Sequence, residues 1–204
     1  MLLVVKRAAD NISLIKENRR LISELQQKNE ELAKTNLVLQ ELSIRDGLTG
    51  LHNHRYFQEV LAAELYRAKR NGLNFAVIFL DMDNFKAFND NYGHLCGDQV
   101  LKMLAKILRD NLRSSDFVAR YGGEEFVILL PGSGLEGAKH TAEQIRQQVE
   151  KSACPVGDGQ ETAAVTVSMG IAVYPNAGLD ARTLLHFADT KLYRAKKKGK
   201  NRVC

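Results

Sequence analysis

Phe117-Val118-Ala119-Arg120-Tyr121-Gly122-Gly123-Glu124-Glu125-Phe126-Val127-Ile128-Leu129-Leu130 sets two glycines between two apolar, β-type runs. Glycine reaches the positive φ angles that tight turns need, so the stretch predicts a β-hairpin. Two carboxylates then open the second strand directly at the turn, where backbone can approach a ligand closely. A bare hairpin has no use for them there, whereas a metal–phosphate site does.

Working outward, Phe75-Ala76-Val77-Ile78-Phe79-Leu80 is a continuous apolar run, read as a strand buried on both faces, and it ends in Asp81-Met82-Asp83. A helix is predicted over 54–71, a turn at Asn89-Asp90-Asn91-Tyr92-Gly93, and a helix over 98–112 with Val100, Leu101, Leu104, Ile107, Leu108 and Leu112 on one stripe. Residues 134–150 form another amphipathic helix. A second hairpin turns near Gly157-Asp158-Gly159 into a strand over 164–173, and a last helix over 180–198 ends at Gly199. This order predicts an α/β (α+β type) fold: a sheet with helices packed on it and antiparallel hairpins inside.

The first forty-odd residues differ. From Asp10 to Ser43 there is no Gly or Pro, and Leu25, Leu32 and Leu39 recur every seven residues. That spacing predicts a long helix in a parallel two-stranded coiled coil. In one register Ile15, Ile22, Asn29 and Asn36 take position a, with Asn18 and the three leucines at d. In the other the leucines take a, with Leu21, Lys28, Thr35 and Leu42 at d. The bland alternative is a single exposed connector helix. The expected division is a helical stalk over 1–44 and a globular domain over 45–204, with Arg45-Asp46-Gly47-Leu48-Thr49-Gly50-Leu51 as the turn-rich boundary.

Composition narrows the classes. The 204 residues, 45% hydrophobic, suffice for one core without disulfide staples. A net charge of +5 suits anionic ligands without demanding nucleic acid. Cys96, Cys154 and Cys204 make no zinc or disulfide pattern and point to a reducing, cytoplasmic setting. The opening Met1-Leu2-Leu3-Val4-Val5 is too short to be a membrane span.

The chemistry centres on Asp81, at the end of one buried strand, and Glu124, at the start of another. If these strands are neighbours, two carboxylates converge, and with backbone carbonyls and phosphate oxygens they make a ligand set for Mg²⁺. Two such ions could activate a hydroxyl and neutralise a phosphate. Strand alternation points Glu124 and Glu125 to opposite faces, so Glu124 is expected as the main partner of Asp81, with Glu125 joining only if the turn twists the backbone. The bland reading is exposed strand-end carboxylates.

Gly122-Gly123-Glu124-Glu125-Phe126 resembles the glutamate form of the signature of the GGDEF family, the diguanylate cyclases. Asp46-Gly47-Leu48-Thr49-Gly50-Leu51-His52-Asn53 resembles that family's opening motif. Asp81-Met82-Asp83-Asn84-Phe85-Lys86-Ala87-Phe88-Asn89-Asp90, followed by Gly93-His94 and Gly97-Asp98, resembles its metal and substrate segment. Tyr193-Arg194-Ala195-Lys196 through Gly199-Lys200-Asn201 resembles its closing motif. The match runs in order from Asp46 nearly to the C-terminus.

The resemblance implies a nucleotide-cyclase, polymerase-palm-like fold with a mostly antiparallel sheet. It implies an enzyme that joins two GTP into cyclic di-GMP, releasing two pyrophosphates across a homodimer. Asp81 and Glu124, with the Met82 carbonyl, would hold Mg²⁺ (two ions per half-site, Mn²⁺ as a substitute). Glu125 would be a further ligand or a base for the ribose 3′-hydroxyl. Asn89 and Asp98 would read guanine, while the Asn84 and Phe85 amides with Lys86, Lys196 and Lys200 would meet the phosphates. Lys200 departs from the family's usual Arg, which keeps the charge and loses the fork. Arg113-Ser114-Ser115-Asp116 fits the family's product-inhibition site, although Gln144 stands where an assisting arginine is common and Arg146 would face elsewhere.

Asn89 as a turn former, Asp98 as a helix cap, the C-terminal lysines as a solvated helix end and Arg113 paired locally with Asp116 are the structural alternatives. The stalk would bring two heads together by raising their local concentration. Leu2-Leu3-Val4-Val5-Lys6-Arg7-Ala8, continuing to Leu21, resembles the last helix of a receiver domain, which would make an upstream sensor possible. The runner-up functions are a catalytically silent GTP or cyclic di-GMP receptor and a coiled-coil interaction module.

Overall fold

The computed structural model describes residues 16–32, 44–156 and 161–204. The chain falls into two compact units, Met1–Ser43 and Ile44–Cys204. In the first, helix α1 covers 16–32. Leu21, Ile22, Leu25 and Leu32 are exposed on it, and Arg20–Glu24 and Lys28–Glu31 pair along its flank at helical spacing. The heptad positions Ile15, Thr35, Asn36, Leu39 and Leu42, the receiver-like stretch at 2–8 and the Gly157-Asp158-Gly159 turn lie outside the described residues.

In the second unit the element order is β1 (His52–Asn53), α2 (His54–Asn71), β2 (Phe75–Met82), α3 (Phe85–Asp110), β3 (Phe117–Gly122), β4 (Glu125–Pro131), α4 (Leu135–Lys151), β5 (Ala153–Val156), β6 (Glu161–Ala164), β7 (Val167–Tyr174) and α5 (Ala181–Lys197). Five strands form one sheet in the order β1-β3-β4-β2-β7, antiparallel except for the short parallel β1–β3 pair, and β5 and β6 pair separately.

Strand alternation sorts the core into two layers. Ala76, Ile78, Leu80 and Met82 of β2 pack with α3 and α4. Phe75, Val77 and Phe79 pack on the other face with Phe57, Leu61 and Ala68 of α2 and Leu184, Ala188 and Leu192 of α5. Every residue of β2 is buried, which is why it reads as an unbroken apolar run. Helix α2 starts where the Asn53 side chain accepts from the Tyr56 amide and stops at the left-handed Gly72.

Three expectations are corrected. Residues 89–92 are helical rather than a turn, in a helix that begins at Phe85; the expected break survives at Gly93, where φ 80° and ψ 161° are non-helical and α3 is two helices joined across that point. Asp98 therefore lies inside α3 rather than capping a helix. The expected strand over 164–173 is two elements. β6 ends at Ala164 and β7 begins at Val167; Val165 and Thr166 belong to neither, although the Thr166 carbonyl still accepts from the Asp83 amide at 2.9 Å, one step beyond the last β2–β7 pair.

Candidate functional site

The site forms where β2 and β7 meet the β3–β4 turn. The β2–β4 register sets Asp81 directly opposite Glu125. Both side chains share the sheet face that carries Phe79 and Val127, so they point together toward α5. This corrects the expected pairing of Asp81 with Glu124 across the strands. The ladder shifts between Arg120 and Gly122, so β4 begins only at Glu125. Gly123 (φ 54°) and Glu124 are the two turn residues, and alternation does not govern a turn residue. Glu124 nevertheless closes on the same place: its carbonyl accepts from the Met82 amide at 3.4 Å, and its charge acts on both Asp81 and Glu125.

Asp81 is 5% exposed. Burial pushes its carboxyl above the ordinary value; Lys196 Nζ, 2.8 Å from Oδ2, pulls it back, and Glu124 and Asp83 push it further up. Burial also raises Glu125, with Asp81 adding to the shift and Lys196 opposing it. Tyr121 is raised by burial first and then by Glu125 and Asp189. The site thus crowds negative charge around one ammonium. Among the described residues no group of three His, Cys, Asp or Glu is placed to hold a metal. Mg²⁺ does not need one, since it binds through one or two carboxylates completed by substrate phosphates, and Asp81 with the neighbouring Glu124 and Glu125 fits that requirement.

Next to Asp81, the chain enters α3. Its N-cap Asn84 is left-handed (φ 59°) and makes no side-chain cap, and the first turn carries no acid. Those amide groups and the helix dipole favour an anion. Lys200 Nζ donates to Asn84 Oδ1, so Lys200, Asn84 and Phe85 gather there, with Lys86 exposed on the same first turn. Farther along α3, Asn89 packs against Gly97, where an added Cβ would lie 1.9 Å from Asn89 Oδ1. That buried oxygen has no hydrogen-bond partner, beside half-buried Asp98.

Arg113 and Asp116 sit in the turn before β3. Asp116 Oδ2 accepts from the Arg113 amide at 3.0 Å, and the Asp116 amide donates to the Arg113 carbonyl at 3.0 Å. The carboxylate thus holds the backbone of the turn rather than the Arg113 guanidinium. Arg146 turns to Glu143, Glu150 and Asn201.

Two supports escaped the sequence reading. Asp83, 6% exposed, accepts from Ser168 Oγ at 2.7 Å, Thr166 Oγ1 at 2.8 Å and the Asn201 amide at 3.0 Å. Arg120 donates to the Gly123 carbonyl at 2.9 Å and to both oxygens of Asp46 at 3.1 and 3.2 Å. Burial would raise Asp46, but bonds from Thr49 and Arg120 outweigh it and hold the carboxyl below its ordinary value. The Asp46–Thr49 turn is thereby tied to the signature turn. The sequence signal for Asp83 was its place inside the 81–90 segment, and for Arg120 its place just before the signature.

The chain is 41% identical over 163 residues to the response regulator PleD of Caulobacter vibrioides, covering 80% of this chain and 36% of PleD. Among solved structures it resembles the coiled coil and GGDEF domain of DgcB from Caulobacter crescentus, in complex with c-di-GMP. That match has a TM-score of 0.84 and 31% identity, covering 89% of this chain and 95% of that one. It also resembles the active GGEEF domain of a diguanylate cyclase from Vibrio cholerae, with a TM-score of 0.68 and 36% identity, covering 74% and 95%. The chain spans less than half the length of the curated relatives it matches. The family model for the diguanylate cyclase GGDEF domain matches residues 43–202, and the chain belongs to the GGDEF family.

Proposed function

We propose that the chain is a diguanylate cyclase, joining two GTP molecules into cyclic di-GMP and releasing two pyrophosphates. The observation that carries this is the meeting of Asp81, Glu125 and turn residue Glu124 at the strand ends, beside the uncapped start of α3. Each GTP presents its 3′-hydroxyl to the α-phosphate of the other. The new O–P bond forms as the bond to pyrophosphate breaks, twice per product, so two heads must face each other.

Asp81, Glu124 and the Met82 carbonyl would hold Mg²⁺ or Mn²⁺, which when bound neutralises phosphate charge and lowers the hydroxyl's pKa. Glu125, with its raised pKa, is suited to take the 3′-hydroxyl proton. The amides of Asn84 and Phe85, with Lys86, Lys196 and Lys200, hold the phosphates, and Asn89 and Asp98 accept from the guanine edge. The orphan Asn89 oxygen supports that role, since it lacks a donor that guanine would supply. Arg113, with its guanidinium not engaged by Asp116, offers a fork to returning cyclic di-GMP, and Asp116 keeps the turn in shape.

The apolar stripe of α1 supports a parallel homodimer through the N-terminal helix, and the receiver-like sequence at 2–8 suits an upstream sensor in a longer protein. Among the described residues no helix is long and apolar enough to cross a membrane, and GTP as substrate fits a cytoplasmic enzyme. The test is incubation of the purified chain with GTP and Mg²⁺, with nucleotides separated by chromatography. Cyclic di-GMP and pyrophosphate in a 1:2 ratio are expected. GTP binding without product at high protein concentration would overturn the reading in favour of a receptor.

A further inference from the structure

Among the described residues, three non-glycine residues have positive φ: Asn84 (59°), Lys200 (62°) and Asn201 (45°). They meet at one place. Lys200 Nζ donates to Asn84 Oδ1, and the Asn201 amide donates to Asp83 Oδ2 at 3.0 Å. Left-handed backbone is unfavourable for a lysine, because its Cβ crowds the following carbonyl, and it persists where the surroundings impose it.

On the Asn201 side it is α4 that grips the turn. Asn201 Nδ2 donates to Glu150 Oε1 at 2.6 Å, and Arg146 donates to Asn201 Oδ1 at 2.9 Å, so both ends of the amide are held. Arg146 is itself fixed by Glu143 at 2.8 Å and by the other Glu150 oxygen at 2.9 Å. Its side chain is only 15% exposed, which makes the clasp more rigid than a surface pair. Neither Arg146 nor Glu150 belongs to a motif that touches nucleotide.

We propose that Arg146 and Glu150 are positioning residues for the nucleotide phosphates. By clasping Asn201 they fix the left-handed turn that delivers Lys200 to Asn84 and the start of α3. The proposal rests on reading that region as the phosphate cradle. Asp83 completes the frame from the opposite side, since it sits between Met82 and Asn84 and accepts from Asn201. Helix α4 thus acts on the phosphate end of the site through one asparagine, without touching substrate.

The test uses the full chain and the non-cyclisable probe α,β-methylene-GTP, with guanosine as a phosphate-free control. Loss of the Asn201 grip in Glu150→Ala should weaken the triphosphate roughly fivefold to tenfold, about the net worth of one ordinary hydrogen bond, because the effect reaches the phosphates indirectly. Guanosine binding should be unchanged, and Glu150→Gln, which keeps an acceptor for Asn201, should recover most of the loss. In a Lys200→Ala background the further loss should be under about twofold, since coupled residues are not additive. Equal loss for guanosine, or full additivity with Lys200→Ala, would overturn the proposal.

Hydrogen exchange on the ligand-free protein gives a readout independent of nucleotide. Glu150→Ala should speed exchange at Asn201 while leaving β2 and β4 protected, and unchanged exchange at Asn201 would refute the clasp. If the parent binds no guanine nucleotide, the functional reading fails, and exchange at Asn201 then decides the clasp alone.

Discussion

Gly170→Ala should unseat α5 from the sheet and, with it, Lys196. Gly170 sits in β7 opposite Asp81's own strand, in register with Phe79. A Cβ there would lie 2.1 Å from the Ala188 carbonyl oxygen and 2.2 Å from the Leu192 nitrogen, the two ends of one backbone hydrogen bond of α5. Carbon needs well over 3 Å from either atom, so α5 must retreat by roughly 1 Å. Restricting the unfolded chain by replacing Gly with Ala is worth about 0.4–1 kcal/mol in the opposite direction. Overpacking against backbone costs about 1–3 kcal/mol and wins, because a helix backbone cannot rotate away as a side chain can. With central values the net cost is about 1.3 kcal/mol, so at about 2–4 °C per kcal/mol for a chain of this size Tm should fall by about 3–5 °C.

Activity should suffer more than stability. Lys196 lies one turn beyond Leu192, and its 2.8 Å contact with Asp81 would stretch toward the ion-pair limit. Its flexible stem recovers part of the gap, so a loss of about 10- to 100-fold in cyclisation rate is expected. Gly137→Ala is the matched control: it lies in α4, where the nearest atom to an added Cβ is 4.0 Å away. There helix propensity should raise Tm by about 2–4 °C. Thermal denaturation by circular dichroism with a product assay measures both. If the two alanines shift Tm in the same direction, the packing argument is refuted.

Two further outcomes follow from the site. Glu125 has a folded pKa above the ordinary 4.5, so the fold favours its protonated form. The cost of its charge is absent below pH 4.5 and grows as pH rises through the shifted value. In metal-free buffer Glu125→Gln should therefore have a higher Tm than the parent at pH 8, with the gap closing by pH 4, while cyclisation falls at least 100-fold; a gap that widens on acidification would contradict it. Arg113→Ala should keep initial turnover within about twofold and raise the cyclic di-GMP concentration needed for half-inhibition at least tenfold. A variant as inhibitable as the parent would remove Arg113 from that role.

How much of this was legible depends on how local the cause was. Helix α2 was readable to its last residue, because Asn53 and Gly72 mark its ends with side-chain and backbone chemistry of their own. Strand β2 was readable because burial on both faces leaves no polar residue until Asp81. The start of α3 was not, since Asn89-Asp90-Asn91-Tyr92 is turn chemistry that packing overrides, with only Gly93 leaving helical backbone. Phe88 is buried in the core and Gly97 accepts Asn89 against its bare Cα, and together they hold that segment helical. The break before β7 was hidden because Val165 and Thr166 are β-branched and read as strand, and the contact of Thr166 with Asp83 comes from 83 residues away in the chain.

The two glutamates show where sequence reasoning stops at the site itself. Alternation says that neighbouring strand residues face opposite ways, but it needs to know which residue is first in the strand. One extra residue at Tyr121 moves that start from Glu124 to Glu125, and a one-residue slip exchanges the faces of every side chain. The signature is therefore two carboxylates of unlike kind. Glu125 is fixed by the ladder against Asp81, with its charge disfavoured by burial. Glu124 is held by a turn whose carbonyl at Gly123 is bonded to Arg120 and, through it, to Asp46. A proton acceptor gains from the first situation, since a raised pKa brings it closer to the hydroxyl it must deprotonate. A metal ligand gains from the second, because a turn can adjust its side chain to the ion's geometry while its backbone stays anchored. Under the proposed division of base and ligand roles by backbone position, exchanging Glu124 for Asp should impair metal dependence, whereas exchanging Glu125 for Asp should impair the pH profile.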